Sequence, residues 1–197
     1  MGDPKFLRRR YETPKHPWEA GRMEEERKLL QRYGLKNKRE LWKAQSLLRG
    51  FRRQARDLQA RLRAGEDQAR REVDQLLGRL TRLGILPVGT PTIDDVLALS
   101  TESLLKRRLE WVVFSRGLAP TPFGARQWIV HGHFSIGGHR VTRPGYLVSS
   151  GEEAQIAYSP TSPLSNDDHT VRVELRERLA AKGVEPVPVA PPVEGGP

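Results

Sequence analysis

Apolar residues recur at three- and four-residue steps through the first half of the chain. Leu41, Ala44, Leu48, Phe51, Ala55, Leu58 and Leu62 share one face of a helix that opens at Asn37 and stops at Gly65. Asn37 followed by Glu40 has the spacing of a capping box. An earlier helix is predicted from Trp18, with Pro17 in its first turn, to Gly34. A third runs from about Glu66 to Leu83 with Val73, Leu76, Leu77, Leu80 and Leu83 inward and Gly84 as its stop.

After the break Pro87-Val88-Gly89-Thr90-Pro91 a short helix follows Thr92. Another runs from Thr101 through Leu104, Leu105, Leu109, Val112 and Val113 to Gly117. Thr121-Pro122 caps one more, ending at Gly132. The pattern then changes. Phe134-Ser135-Ile136, Gly137-Gly138 and His139-Arg140-Val141 read as a hairpin, because paired glycines supply the positive φ of a tight turn. Tyr146-Leu147-Val148 and Gln155-Ile156-Ala157-Tyr158 are further strand candidates.

These elements predict an α+β protein: a helical N-terminal lobe, and a second lobe of helices packed on a small, mostly antiparallel sheet. The divisions fall at 1–17 (an extended basic arm), 18–100 (the helical lobe), 101–158 (the second lobe), 159–183 (an extended segment and a weak helix over Val171 to Ala181) and 184–197 (a Pro/Gly-rich tail that reads as disordered). Trp18, Trp42, Trp111 and Trp128 fall on predicted helices among apolar neighbours, which favours core packing over base stacking.

Charge changes the picture more than composition does. The 197 residues carry 34 Lys+Arg against 24 Asp+Glu, a formal charge of +10. A polyanion is the leading partner, because cations that neutralise phosphates release condensed counterions. Nucleic acid is preferred over an anionic membrane surface. Residues 1–82 hold 23 basic and 12 acidic side chains, and 106–143 hold seven basic and one acidic. Residues 144–197 hold four basic and eight acidic, so the polyanion is expected on two basic zones and not on the tail. No apolar run approaches the ~20 residues needed to span a bilayer, and the first residues carry no secretory pattern. There are no cysteines, hence no disulfide and no thiolate metal site.

Chemistry-bearing motifs are scarce. No phosphate-binding glycine loop, dinucleotide fingerprint or nucleophile elbow occurs. His131-Gly132-His133 has no neighbouring acid or cysteine to complete a metal ligand set. Asp94-Asp95 and Glu24-Glu25-Glu26 sit in early helical turns, where carboxylates complement the helix dipole. No cofactor or small-molecule substrate is called for. The informative residues are basic: Lys106, Arg107, Arg108, Arg116 and Arg126, then His139, Arg140 and Arg143 on and after the hairpin. Folded as helix, turn, helix and hairpin, they can converge on one RNA-facing surface, or form a solvated charged face. Arg49, Arg52, Arg53 and Arg56 on the long helix, and Arg8, Arg9 and Arg10 in the arm, are open to the same two readings.

Arg108-Leu109-Glu110, Ala125-Arg126-Gln127-Trp128-Ile129-Val130-His131-Gly132-His133, Ile136-Gly137-Gly138 and Pro144-Gly145-Tyr146-Leu147-Val148 resemble the S-four RNA-binding domain. That domain is also appended to RNA-modifying enzymes and to a tRNA synthetase. The N-terminal half decides between them. Tyr11-x-Thr13-Pro14, His16-Pro17-Trp18 and the run from Tyr33 to Trp42 resemble the archaeal and eukaryotic branch of the small-subunit ribosomal protein S-four family. Gly137-Gly138 stands where Asn-Gly is commoner in the family, and Phe134 where an aliphatic is usual.

The resemblance implies a non-enzymatic constituent of the cytoplasmic small ribosomal subunit. It implies a primary binder of small-subunit rRNA that docks early at a multi-helix junction of the 5′ domain, beside neighbouring ribosomal proteins. It further implies a place near the path by which mRNA enters, and a link to decoding accuracy. Carried onto this chain, the RNA surface comprises Lys106, Arg107, Arg108, Arg116, Arg126, Gln127, His131, His133 and Arg140.

Overall fold

The computed structural model describes residues 9–87 and 89–181, so Arg8, the start of the basic arm and the 184–197 tail lie outside the described residues. Three helices build the N-terminal lobe: α1 (Ala20–Tyr33), α2 (Lys38–Arg63) and α3 (Asp67–Arg82). Two short helices follow, α4 (Ile93–Ala98) and α5 (Thr101–Lys106). The second lobe holds α6 (Leu109–Ser115), α7 (Pro122–His131), β1 (Phe134–Ile136), β2 (His139–Arg140), α8 (Ser150–Glu153) and β3 (Ile156–Tyr158). A 3-10 turn at Pro163–Ser165 and α9 (Thr170–Ala181) complete the described chain. The α+β class expected from the residue pattern is the one observed.

The amphipathic stripes became the core. Leu48, Phe51, Ala55 and Leu58 of α2 pack on Val73, Leu76 and Leu80 of α3 and on Val96 of α4. A second core joins Leu109, Val112 and Val113 of α6 to Ile129 of α7 and to Phe134, Ile156 and Tyr158 of the sheet. Between them lies a small cluster of Tyr33, Leu35, Leu41 and Leu105, with the Trp111 ring 4.6 Å from that of Tyr33. Although the residue pattern groups α5 with the second lobe, Leu104 is buried in the first core and Leu105 in the connecting cluster.

The sheet has the order β2-β1-β3 and is antiparallel throughout. Ile136 pairs with His139 around Gly137 and Gly138, whose φ of 56° and 82° mark a two-residue turn with both central residues in the left-handed region, which glycine enters without strain.

Three local expectations are corrected. The single helix expected over 101–117 is broken, and Arg108 is extended (φ −71°, ψ 141°). The cause is remote in sequence. The N–H groups of Leu109 and Glu110 donate to the carbonyls of Tyr146 and Pro144, and Val148 N–H donates to the Arg107 carbonyl. The segment expected as a strand at 146–148 is spent on that junction, through a single antiparallel bridge between Arg108 and Leu147. Lastly, Trp18 precedes α1 and is 87% exposed instead of buried. The Arg22 guanidinium donates to the carbonyls of His16 and Pro17 at 2.6 and 2.9 Å, which fastens that turn ahead of the helix.

Gly34 ends α1 in the left-handed region (φ 67°), and a Cβ there would stand 2.8 Å from Pro122 Cβ and 2.9 Å from its carbonyl carbon. Backbone conformation and backbone crowding both demand glycine where α1 meets the start of α7. Gly34→Ala is expected to lower unfolding free energy by about 2–4 kcal/mol, read from a urea titration.

Candidate nucleic-acid interface

The basic residues separate into two groups once their partners are known. Arg108 and Arg126 face inward on a four-membered network with Glu40 and Glu110. Arg108 Nε donates to Glu110 Oε1 and its Nη2 to Glu40 Oε2, both at 2.7 Å. Arg126 Nη1 donates to Glu40 Oε2 and Glu110 Oε2, each at 3.0 Å, and its Nη2 to Glu40 Oε1 at 2.5 Å. Glu40 comes from α2, so this network ties the two lobes together. It also corrects the capping-box reading. Asn37 does accept from Glu40 N–H, but the Glu40 carboxylate turns away from the Asn37 N–H to the two arginines.

Burial sets the two carboxyls apart. Glu110 is fully buried, and desolvation pushes it up to about 7 despite both guanidiniums. Glu40 is also raised by burial, but hydrogen bonds and charge from Arg126 and Arg108 outweigh it and hold the group below the ordinary carboxylate range.

Other expected RNA ligands also have partners within the protein. Arg107 donates to Glu153 Oε2 at 2.8 Å and to the Val148 carbonyl at 2.9 Å, stapling α8 to the helix break. Arg116 donates to the Glu153 carbonyl from the other side. Arg52 is bonded to the Leu99 carbonyl, and Arg49 to Glu12. His133 Nδ1 lies 2.8 Å from Ser162 Oγ; burial, then the charges of His131 and Arg140, hold this imidazole below its usual value. The His131 and His133 ring centroids are 6.3 Å apart, and no group of three or more metal-ligating side chains occurs among the described residues.

The remaining candidates are exposed: Lys106 at the end of α5, Gln127, His131, His139, Arg140 and Arg143 on the second lobe, Arg53 and Arg56 on α2, Arg9 and Arg10 before α1. Arg140 Nη2 donates to the His131 carbonyl at 2.9 Å, and Arg9 lies over the Tyr11 ring. Lys106, Arg143, Arg53 and Arg56 have no acidic partner among the described residues.

A groove of about 710 Å³ opens between α2 and the Gly145–Leu147 turn. Lys43, Leu47, Gly50 and Gln54 of α2 line it, with Arg79 of α3 and Arg10 at its edges. Sequence reasoning missed this feature. The available signal was a stripe at i, i+4, i+7 and i+11 beginning at Lys43, offset from the apolar stripe and carrying a glycine in mid-helix.

Comparison with known proteins adds to this geometry. Residues 4–106 match the family model for the ribosomal protein S4/S9 N-terminal domain, and residues 107–153 match that for the S4 domain. Their junction coincides with the helix break at Arg107. Among the similar curated proteins, the small ribosomal subunit protein uS4 of Thermoplasma acidophilum is 47% identical over 175 residues, covering 89% of this chain and 87% of that protein. Those named uS4 in Picrophilus torridus and Methanococcus aeolicus are each 48% identical, covering 89% and 88% of this chain and 95% and 97% of their own lengths. With more than half of its length under one ribosomal family model and close to half of the aligned residues shared with archaeal relatives, the chain belongs to the small-subunit ribosomal protein S4 family.

Proposed function

We propose that this protein is a structural, non-catalytic constituent of the small ribosomal subunit in the cytoplasm, and that it acts by binding small-subunit rRNA. Its relatives are named for the small ribosomal subunit. The observation that carries the RNA reading is the division of the basic residues. The half-buried Arg108 and Arg126 are neutralised internally and hold the two lobes together, while exposed cations on both lobes are left for an external polyanion. A frame fixed in this way presents its charges at constant separations, so little ordering cost remains when close-packed phosphates dock.

The finer reading places the docking site at a multi-helix junction of the 5′ domain, where converging strands concentrate phosphates. Neutralising them there stabilises the junction early in assembly. The same reading sets the protein beside other small-subunit proteins and near the path of entering mRNA, with an influence on decoding accuracy. The RNA-facing set comprises Lys106, Gln127, His131, His139, Arg140 and Arg143 with Arg53, Arg56, Arg9 and Arg10. Arg107, Arg108, Arg116, Arg126, Arg49 and Arg52 serve first as structural ties.

The test is equilibrium binding of the full chain to a transcript of the 5′-domain junction, with an unrelated RNA duplex as control, across a salt series. Tight binding to the junction with a steep negative salt slope is expected. Equal affinity for both RNAs would leave a non-specific polycation and remove the reading.

A further inference from the structure

The groove beside α2 combines features that a purely phosphate-binding surface does not need. We infer that it receives one unstacked nucleotide of the bound rRNA, with the base against Leu47 and Gly50 and the flanking phosphates on Lys43, Arg79 and Arg10. The inference rests on the rRNA-binding reading above and specifies a contact within it.

The floor is apolar and open. Leu47 is 39% exposed although it lies between buried Leu41 and Phe51 on a well-packed helix. One turn further on, Gly50 is exposed, and among the described residues nothing beyond its own helix backbone stands within 4 Å of the place its Cβ would take. Glycine is unfavourable inside a helix, and here neither a positive φ nor a protein contact requires it. A flat ring approaching the helix backbone would account for the absent side chain. Gly145 on the opposite wall differs: a Cβ there would stand 3.2 Å from the Arg108 guanidinium, so its glycine is explained by the protein itself.

The rim is cationic. Lys43, Arg79 and Arg10 have no acidic partner among the described residues, while the one carboxylate in the lining, Glu40, is already bound by Arg108 and Arg126. The Arg79 guanidinium lies over the Phe51 ring, 6.0 Å from its centroid, which holds it at the groove edge. Apolar floor and positive rim match the two faces of a nucleotide, since any base offers a ring surface and its phosphates lie outside. At about 710 Å³ the space is large enough for an unstacked nucleotide. A rigid duplex has no exposed base face to offer such a cleft, so an RNA loop or bulge is the occupant. Three unneutralised cations favour a phosphodiester over an apolar peptide.

The experiment uses the full chain and the junction transcript. Gly50→Leu fills the groove with a better helix former, so its urea midpoint should stay level or rise. Its affinity, and that of Leu47→Ser, should fall about tenfold with an unchanged salt slope, as expected when a base contact and no phosphate contact is lost. Lys43→Ala with Arg79→Ala should instead reduce the salt slope by about two. Because the chain has no cysteine, Leu47→Cys offers a single point for a short photoreactive group, and its crosslink should map to one nucleobase. Wild-type affinity in both groove variants, or crosslinks to protein alone, would overturn the inference while leaving rRNA binding intact. Failure of the wild-type chain to bind the transcript would instead remove the parent reading, and this one with it.

Discussion

Arg126→Met is expected to cost about 3–5 kcal/mol of unfolding free energy, because it strips the shared partner from two carboxylates held in a largely dry site. Arg126 donates to both oxygens of Glu40 and to Glu110, so its loss leaves Arg108 alone against the Glu40 carboxylate and pushes the Glu110 carboxyl further up. Adding Glu40→Gln to Arg126→Met should recover part of the loss, since it removes the charge left uncompensated. The two changes should therefore couple strongly in a double-mutant cycle.

The same network has a pH signature with two limbs of opposite sign. Glu110 is raised to about 7 in the fold against an ordinary 4.5, so the folded protein takes up a proton between those values that the unfolded chain does not. Its contribution to stability rises as pH falls through that window. Glu40 is depressed, so its contribution is present above the ordinary carboxylate value and is lost as pH falls through the folded one. Urea midpoints should therefore rise modestly on mild acidification and then drop. Glu110→Gln should abolish the rise and keep the drop; a profile unchanged in that variant would place the mild-acid transition on another group.

Much of this architecture was written in local periodicity. The stripes from Leu41 to Leu62 and from Val73 to Leu83 needed only helical geometry, and Gly137-Gly138 needed only the sign of φ. What escaped was set by partners far along the chain. The break at Arg107–Arg108 lies inside a good helical pattern, and it exists because the carbonyls of Pro144 and Tyr146 take the N–H groups of Glu110 and Leu109. Trp18 sits outside α1 because Arg22 grips the two carbonyls just ahead of it.

The candidate site was legible as charge but not as pairing. Arg108 and Lys106 look alike in sequence. Yet one meets a carboxylate 68 residues away and the other meets none among the described residues. Glu40 was assigned to its nearest local use, a helix cap, because its arginines come from another lobe. Composition counts cations; only the fold separates those already neutralised from those still available.

That separation carries the second large effect. Lys106→Ala, Arg143→Ala and Arg53→Ala together are expected to reduce the salt slope of rRNA binding by about three and the affinity on the order of a hundredfold. All three side chains are exposed and have no acidic partner among the described residues, so stability should stay within about 0.5 kcal/mol of wild type. Arg107→Ala with Arg108→Ala removes fewer charges, and both of those are anchored, to Glu153 and Val148 in one case and to Glu40 and Glu110 in the other. This pair should therefore shift the urea midpoint strongly while the fraction still folded keeps nearly the wild-type salt slope. Measuring slope and midpoint on both variants assigns each arginine to RNA or to the fold. A full slope change in the anchored pair, without a stability change, would reverse the assignment.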